Sequence, residues 1–200
     1  MGDKQPAILS IDKNSAYFEC VIALWRENAA ELGFFPRGAF EAHAEKKQIL
    51  IALHDGDLVG YLLYRISRDR ASIVHLCISR EYRGTGIAEL LFNEINRITT
   101  DLQGVGLWCR RDYSNATALW ERLGFKPRSD KPSRSKGGSH LTFWWFDHDL
   151  PNLFSELKTI RTPGQLPVAI DTNIFFDLIE PSSEYTEDSH YLAADWLHEE

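Results

Sequence analysis

Residues 73–78 and 83–88 are the part of the chain best suited to chemistry, because an apolar run leads through a charged turn into Arg-Gly-Thr-Gly-Ile-Ala. Gly84 and Gly86 allow the main chain to approach a ligand closely and to take up positive φ. A helix that starts after Gly86 would direct its free amides and the positive end of its dipole at an anion. Arg83 adds a forked cation that suits phosphate oxygens. The stretch therefore predicts a binding site for a diphosphate.

Two common phosphate motifs do not fit this turn. The dinucleotide fingerprint needs a third glycine where this chain has Glu89, a carboxylate. The sequence holds no GxxxxGK[ST] loop, which excludes a nucleoside-triphosphate P-loop. The apolar residues from Ile87 to Ile98 recur at helical spacing, so they predict a helix that lies on a sheet.

Hydrophobic spacing predicts alternating strands and helices over the rest of the first 150 residues. His-Asp-Gly-Asp at residues 54–57 separates two apolar runs and predicts a hairpin. The predicted strands cover residues 7–11, 49–53, 58–66, 71–78, 105–110 and 140–146. The predicted helices cover residues 14–32, 36–46, 87–98 and 115–123.

The Arg-x-x-Gly-x-Ala motif at residues 83–88 resembles the [Gln/Arg]-x-x-Gly-x-[Gly/Ala] pattern of the GNAT superfamily of acyl-CoA-dependent N-acyltransferases. The predicted order β-α-α-β-β-β-α-β-α-β is similar to that of the same family over residues 5–150. The resemblance implies an α/β (α+β) fold whose mixed central sheet has splayed fourth and fifth strands and is flanked by helices. It also implies acetyl-CoA as co-substrate and a primary amine as acceptor. The alternative is a glycine-rich turn that binds no ligand.

The family resemblance extends to the stretch 115–125, which ends in Leu-Gly-Phe like the helix after the family's fifth strand. It implies that the pantetheine arm of acetyl-CoA lies between the splayed strands and pairs with the backbone of residues 76–78. Asn115 either binds this arm or caps its own helix. The implied cofactor-binding residues are Leu76, Cys77, Ile78, Arg83, Gly84, Thr85, Gly86, Ile87, Ala88, Asn115 and Trp120.

Acyl transfer to an amine needs a base, a donor for the tetrahedral oxyanion and a partner for the departing thiolate. A backbone N–H of the fourth strand can serve the oxyanion, and Leu76 is the predicted donor. Many family members place a glutamate early in this strand, where this chain has Ser72. His75 is the candidate base, since histidine titrates near neutral pH. The alternative is a structural histidine on the same face as Ile73 and Cys77.

The partner of the thiolate is also missing in its usual form. The family commonly has a tyrosine four residues before the glycine of Leu-Gly-Phe, where this chain has Trp120. An indole N–H donates a hydrogen bond but does not supply a proton. Tyr113 and Ser114, just before the predicted helix, are the candidate substitutes.

A basic segment at residues 126–136 carries five cations and one anion. In the family's order it is a loop near the entrance for the acceptor. It is either a solvated loop or a clamp for an acidic acceptor, such as RNA, an aminoacyl-tRNA or an acidic protein segment. The sequence does not indicate the class of amine or the oligomeric state.

The charge of the chain is divided unevenly. Residues 1–150 carry 20 Lys and Arg against 19 Asp and Glu, whereas residues 151–200 carry 2 against 10. This shift and the Thr-Pro-Gly-Gln-Leu-Pro stretch at 162–167 predict an acyltransferase domain over 1–150, a linker over 151–166 and a second unit over 167–200.

The second unit contains an apolar stretch that ends at Asp171 and continues as Thr-Asn, which resembles the start of a PIN-type ribonuclease domain. The resemblance implies a short β-α-α segment in which Asp171 helps to bind Mg²⁺ or Mn²⁺. Such a centre needs further acids, which in that family fall beyond residue 200, so we expect only the beginning of a PIN domain. The alternative function is therefore a non-catalytic acyl-CoA-binding module fused to a PIN-type ribonuclease.

Cysteine usage and apolar runs indicate the compartment. The three cysteines, Cys20, Cys77 and Cys109, show no pairing pattern, which favours a reducing environment. The N-terminus has no basic and then apolar signal, and the longest apolar run, at residues 58–64, is too short to span a bilayer. We expect a cytoplasmic protein with no membrane association.

Overall fold

The structure is a computed structural model that describes residues 6–133, 140–148 and 150. The chain divides into two units, residues 1–150 and 151–200, and every feature below belongs to the first. The strands are β1 Ala7–Ile11, β2 Ile49–His54, β3 Asp57–Ser67, β4 Arg70–Ile78, β5 Gly104–Arg110, β6 Lys126–Pro132 and β7 His140–Asp147. The helices are α1 Phe18–Glu27, α2 Ala29–Leu32, α3 Arg37–Glu45, α4 Ile87–Ile98 and α5 Ser114–Arg122.

The seven strands form one sheet in the order β1-β2-β3-β4-β5-β7-β6. Neighbouring strands run antiparallel except β4 and β5, which run parallel. The predicted mixed sheet flanked by helices is therefore confirmed. The predicted hairpin is confirmed as well, because Asp55 (φ 52°) and Gly56 (φ 93°) both take the positive φ of a type I′ turn.

Two apolar cores cover the sheet. The α4 core contains buried Ile87, Leu91 and Ile95 of that helix. The α1–α3 core contains Phe18 and Val21 of α1 together with buried residues of α3. Helices α1, α3 and α4 each bury one apolar side against the sheet, whereas α2 buries no residue.

A bulge in β4 changes the predicted alternation of its side chains. Leu63 pairs with His75 and Tyr64 with Ile73, so Val74 is an extra residue in β4. Ile73 therefore lies in the α4 core rather than on the face of His75 and Cys77. One inserted residue reverses the face of everything before it, which strict alternation does not anticipate.

Two further predictions are corrected by the structure. The helix predicted over 14–32 is broken at Asn28, whose φ of −114° and ψ of 13° separate α1 from α2. The predicted loop at 126–136 contains β6, an edge strand that pairs with β7 and is exposed along its whole length. Pro127 and Pro132 are tolerated there because an edge strand has only one pairing side.

Within residues 6–133, 140–148 and 150, no helix is both long and apolar enough to span a membrane.

Candidate active site

The sheet opens between β4 and β5. The two strands pair only where Ala71, Ser72 and Ile73 face residues 105–107. Beyond that point β4 remains paired with β3, and β5 remains paired with β7. The predicted splay of the fourth and fifth strands is thus present, and it leaves one side of β4 without a neighbouring strand.

The backbone of β4 presents polar groups to this gap. The N–H of Ser79, directly after β4, donates to the carbonyl of Val59 in β3 at 2.9 Å, so these two residues form a hydrogen-bonded pair of the ladder. Hydrogen-bonded and non-hydrogen-bonded pairs alternate along an antiparallel ladder. The register therefore turns the backbone of Cys77 towards β3 and the N–H and C=O groups of Leu76 and Ile78 towards the gap.

The glycine turn lies at the open end of β4. Gly84 has φ of 81° and Gly86 has φ of 87°, both in the left-handed region that favours glycine. A Cβ at either position would meet no heavy atom within 4 Å, so the space above the turn is open. Helix α4 starts at Ile87, and the first amides of a helix have no partner within it. These are the features of an anion-binding helix start.

A cavity of about 560 Å³ connects the gap with the glycine turn. It brings together ten of the eleven predicted cofactor-binding residues. Those ten are Leu76, Cys77, Ile78, Arg83, Gly84, Gly86, Ile87, Ala88, Asn115 and Trp120. Thr85 does not line the cavity, and its hydroxyl donates to the carbonyl of Tyr82 at 2.7 Å.

The guanidinium of Arg83 is directed at the protein rather than at the space above the turn. Its Nη2 donates to Oδ1 of Asn28 at 2.8 Å, and its Nε donates to the carbonyl of Ile78 at 3.3 Å. Its Nη2 also lies 3.7 Å from the Glu31 carboxylate. Arg83 therefore fixes the turn against the α1–α2 junction, which differs from the phosphate-binding fork that its residue type predicts.

Helix α5 forms the opposite wall of the cavity. Asn115 lies in its first turn and makes no capping hydrogen bond, so the interpretation of Asn115 as a helix cap is excluded. Trp120 is 6% exposed, and its indole Nε1 has no hydrogen-bond partner among the described residues. Both side chains border the cavity.

His75 lies outside the cavity and is sealed in the α1–α3 core. Its ring is 4.6 Å from that of Phe35 and 6.0 Å from that of Phe40, and its Nδ1 is 3.3 Å from the Tyr61 hydroxyl. Burial, with a smaller contribution from His43, lowers the pKa of His75 to about 4. The structural alternative therefore fits His75, and the geometry does not bring it to a reacting group.

The candidate acids at the start of α5 also lie away from the cavity. The Tyr113 hydroxyl accepts a hydrogen bond from Arg110 at 3.0 Å, and the Arg110 guanidinium stacks 4.5 Å above the Tyr113 ring. Ser114 is the first residue of α5 and is exposed. Neither Tyr113 nor Ser114 lines the cavity.

Several residues that line the cavity were missed by the sequence analysis. Asn28, Glu31 and Leu32 reach it because the helix breaks at Asn28. Arg122 lines it too, with its Nε 2.9 Å from the carboxylate of Glu89. An asparagine within a predicted helix was the one available signal of the break, since its side chain competes for backbone groups.

No metal-ligating cluster of three or more His, Cys, Asp or Glu side chains occurs among the described residues. The predicted ligand Asp171 lies outside the described residues. Its role in binding Mg²⁺ or Mn²⁺ stays a prediction.

Comparisons with known proteins agree with this geometry. The profile of the Acetyltransferase (GNAT) family matches residues 13–125. A Bacillus subtilis (strain 168) protein whose name gives it as a candidate acetyltransferase is 25% identical over 84 residues, which make up 42% of this chain. Those residues span only 56% of that relative's length.

Solved structures share the fold at low sequence identity. Ard1 from Thermoplasma volcanium has a TM-score of 0.63 and 16% identity, covering 71% of this chain and 97% of that one. The ribosomal-protein-S18-alanine N-acetyltransferase from Escherichia coli has a TM-score of 0.62 and 13% identity, covering 74% and 97%. Arabidopsis thaliana NAA60 in complex with acetyl-CoA has a TM-score of 0.62 and 15% identity, covering 72% and 99%. Because the family profile matches more than half of the sequence, this chain belongs to the GNAT acetyltransferase family.

Proposed function

We propose that the protein is an acetyl-CoA-dependent N-acetyltransferase that transfers the acetyl group to a primary amine. The observation that carries this proposal is the cavity that joins the gap between β4 and β5 to the start of α4. One end offers an unpaired strand backbone, and the other offers a helix start with two glycines at positive φ. A ligand with an amide-containing arm and a diphosphate matches both ends.

The parts of the coenzyme follow from the groups that can hold them. The diphosphate lies over the turn formed by Gly84, Thr85 and Gly86, where the amides of Ile87 and Ala88 point at it. The pantetheine arm pairs with the gap-facing N–H and C=O of Leu76 and the N–H of Ile78, since the Ile78 carbonyl already accepts from Arg83. Asn115 and Trp120 of α5 border the arm from the other side.

In this proposal the carbonyl oxygen of the thioester lies at the N–H of Leu76. A backbone N–H aimed at the carbonyl oxygen stabilises the negative charge that develops when the amine attacks. The bulge at Val74 interrupts the ladder before Leu76, and the side chain of His75, between the two, lies in the core. Leu76 is therefore the first residue after the bulge whose N–H faces the gap.

A binding experiment with a matched control tests the cofactor site. Gly86→Glu places a carboxylate beside the diphosphate, so we expect isothermal calorimetry to show acetyl-CoA affinity reduced at least tenfold. Gly56→Glu is the control, because Gly56 also has positive φ (93°) and open space for a Cβ, but lies in the β2–β3 hairpin. Equal affinity in wild type and Gly86→Glu would refute the proposed diphosphate site.

Release of free thiol from acetyl-CoA distinguishes an enzyme from a silent binding module. An N-acetyltransferase releases CoA when a suitable amine is present, whereas the alternative module, fused to a PIN-type ribonuclease, binds CoA without turnover. We propose an acceptor screen that covers small amines, peptides and RNA-linked amines, because the exposed strand β6 carries Lys126, Arg128 and Lys131. Binding without thiol release across that screen would favour the silent module.

A further inference from the structure

The cavity contains one carboxylate among the described residues, and it belongs to Glu31. Glu31 lies on α2, the short helix that follows the break at Asn28. Its side chain is 59% exposed and therefore reachable from solvent. A carboxylate in a cavity built for an acyl donor is suited to bind the cationic form of an amine and to take a proton from it.

Glu31 and Leu76 line the same cavity. Burial raises the pKa of the Cys77 thiol, the direct neighbour of Leu76; the charge of Arg83 opposes this rise, and the charges of Glu31 and Glu27 add to it. Of these two carboxylates, only Glu31 lines the cavity in which the thioester is proposed to lie.

The Glu31 carboxylate lies near Arg83 but accepts no hydrogen bond from it. The shortest contact of the Arg83 Nη2 is with Asn28, at 2.8 Å, whereas Glu31 Oε2 lies 3.7 Å away, beyond hydrogen-bond distance. The α2 backbone is fixed, because the N–H of Glu31 donates to the carbonyl of Asn28 at 3.0 Å. The oxygens of Glu31 thus keep lone pairs for a further donor while the helix that carries them is held.

The other candidate bases are removed by their surroundings. Ser72 pairs within the sheet where β4 and β5 are still joined, and a hydroxyl is not a base for an ammonium ion. His75 is sealed in the α1–α3 core, and Tyr113 is engaged by Arg110. We propose, building on the acetyltransferase function proposed above, that Glu31 binds the acceptor ammonium in the cavity and accepts its proton.

The proposed step balances as follows. The ammonium gives one proton to the Glu31 carboxylate, and the freed nitrogen lone pair attacks the thioester carbon, so that a C–N bond forms and the carbonyl electrons move to the oxygen facing Leu76 N–H. The C–S bond then breaks, and its electron pair leaves with sulfur as a thiolate. The second proton on nitrogen neutralises the thiolate, and Glu31 returns its proton to solvent.

An equilibrium experiment tests Glu31 without knowledge of the acceptor. The probes are S-(2-aminoethyl)-CoA, which carries an ammonium just beyond sulfur, and S-propyl-CoA, its neutral counterpart. Wild type is expected to bind the ammonium probe about five- to tenfold more tightly, because the cation meets the carboxylate in a partly enclosed space. Glu31→Gln should remove this preference and leave the affinity for the propyl probe unchanged.

The matched control is Glu27→Gln, since Glu27 ends α1, is exposed and does not line the cavity. This variant should keep the preference for the ammonium probe. Equal binding of both probes by wild type, or an undiminished preference in Glu31→Gln, overturns the role of Glu31. Failure of both probes to bind at all refutes the cofactor site itself and so overturns both proposals.

Discussion

Among single residues, His75 has the clearest consequence for stability. Its ordinary pKa in an unfolded chain is about 6.5, and burial among the rings of Phe35, Phe40 and Tyr61 lowers the folded-state pKa to about 4. Protonation is therefore favoured in the unfolded chain. As the pH falls from 6.5 towards 4, His75 binds a proton in the unfolded state but not in the folded state. The free energy of unfolding therefore decreases.

We predict that lowering the pH from 7.5 to 5 reduces the free energy of unfolding by about 2 kcal/mol through His75 alone. Urea denaturation at the two pH values measures this change. His75→Gln keeps a polar group near the Tyr61 hydroxyl and should remove most of the decrease. His43 contributes in the same direction, because burial lowers its pKa too, so a smaller slope remains. A full-size decrease in His75→Gln would contradict the prediction.

Residue type predicted a residue's place in the site only where that place depends on the backbone conformation. Gly84 and Gly86 were found from sequence, because few other residues tolerate the φ that the turn requires. Arg83 was placed at the right point of the chain, but the side chain turned to Asn28. A long side chain has several partners within reach, and only the folded neighbours decide among them. Glu31 could not be found, since its position depends on the break before α2.

At the level of elements, the α1–α2 junction is tied to the glycine turn by one side-chain pair. Asn28 is 7% exposed, donates from Nδ2 to the carbonyl of Leu24 at 2.8 Å and accepts from Arg83 through Oδ1. Because Arg83 opens the glycine turn, this hydrogen bond connects Asn28 to the proposed cofactor site. We therefore expect Asn28 to act as a positioning residue and not as a ligand of the diphosphate.

We predict that Asn28→Ala and Arg83→Met each weaken CoA binding several-fold, and that the double variant is no weaker than Arg83→Met. Residues that act through one contact give such non-additive effects. Calorimetry with CoA and with acetylpantetheine, which lacks the diphosphate, separates the two ends of the site. A purely structural role of Asn28 would weaken both ligands alike and add to the effect of Arg83→Met.

The elements that sequence predicted best are those with a regular apolar pattern. Helix α4 and strands β2 and β3 bury a continuous stripe or run, and their bounds agree with the prediction within one or two residues. Strand β6 has no buried residue, so no periodicity marked it. The β4 bulge depends on pairing with β3, which lies outside any local pattern.

On the scale of the whole molecule, the separation of β4 from β5 creates the cavity of the candidate site. The parallel pairing of β4 and β5 holds the two halves of the sheet together over three residue pairs, and its loss beyond them opens the cavity. The same cavity takes its walls from α2, α4 and α5. Residues far apart in sequence thus contribute to one site, and the family resemblance supplied that arrangement where local patterns did not.

The described residues that line the cavity all fall between Asn28 and Arg122, within the first unit of the chain. We predict that a chain ending at residue 150 folds and binds acetyl-CoA with a Kd within about twofold of the full chain, because it keeps every one of these residues. It loses 10 acidic and 2 basic residues, so its charge at pH 7 changes from −7 to near neutral. Calorimetry and anion-exchange elution of both chains measure these two effects.

The shortened chain keeps both apolar cores, so we expect it to remain folded. A loss of affinity would then not result from the loss of a described cavity wall. A Kd that rises more than tenfold on truncation, with the melting temperature unchanged, would show that residues 151–200 take part in coenzyme binding and would contradict the proposed domain division.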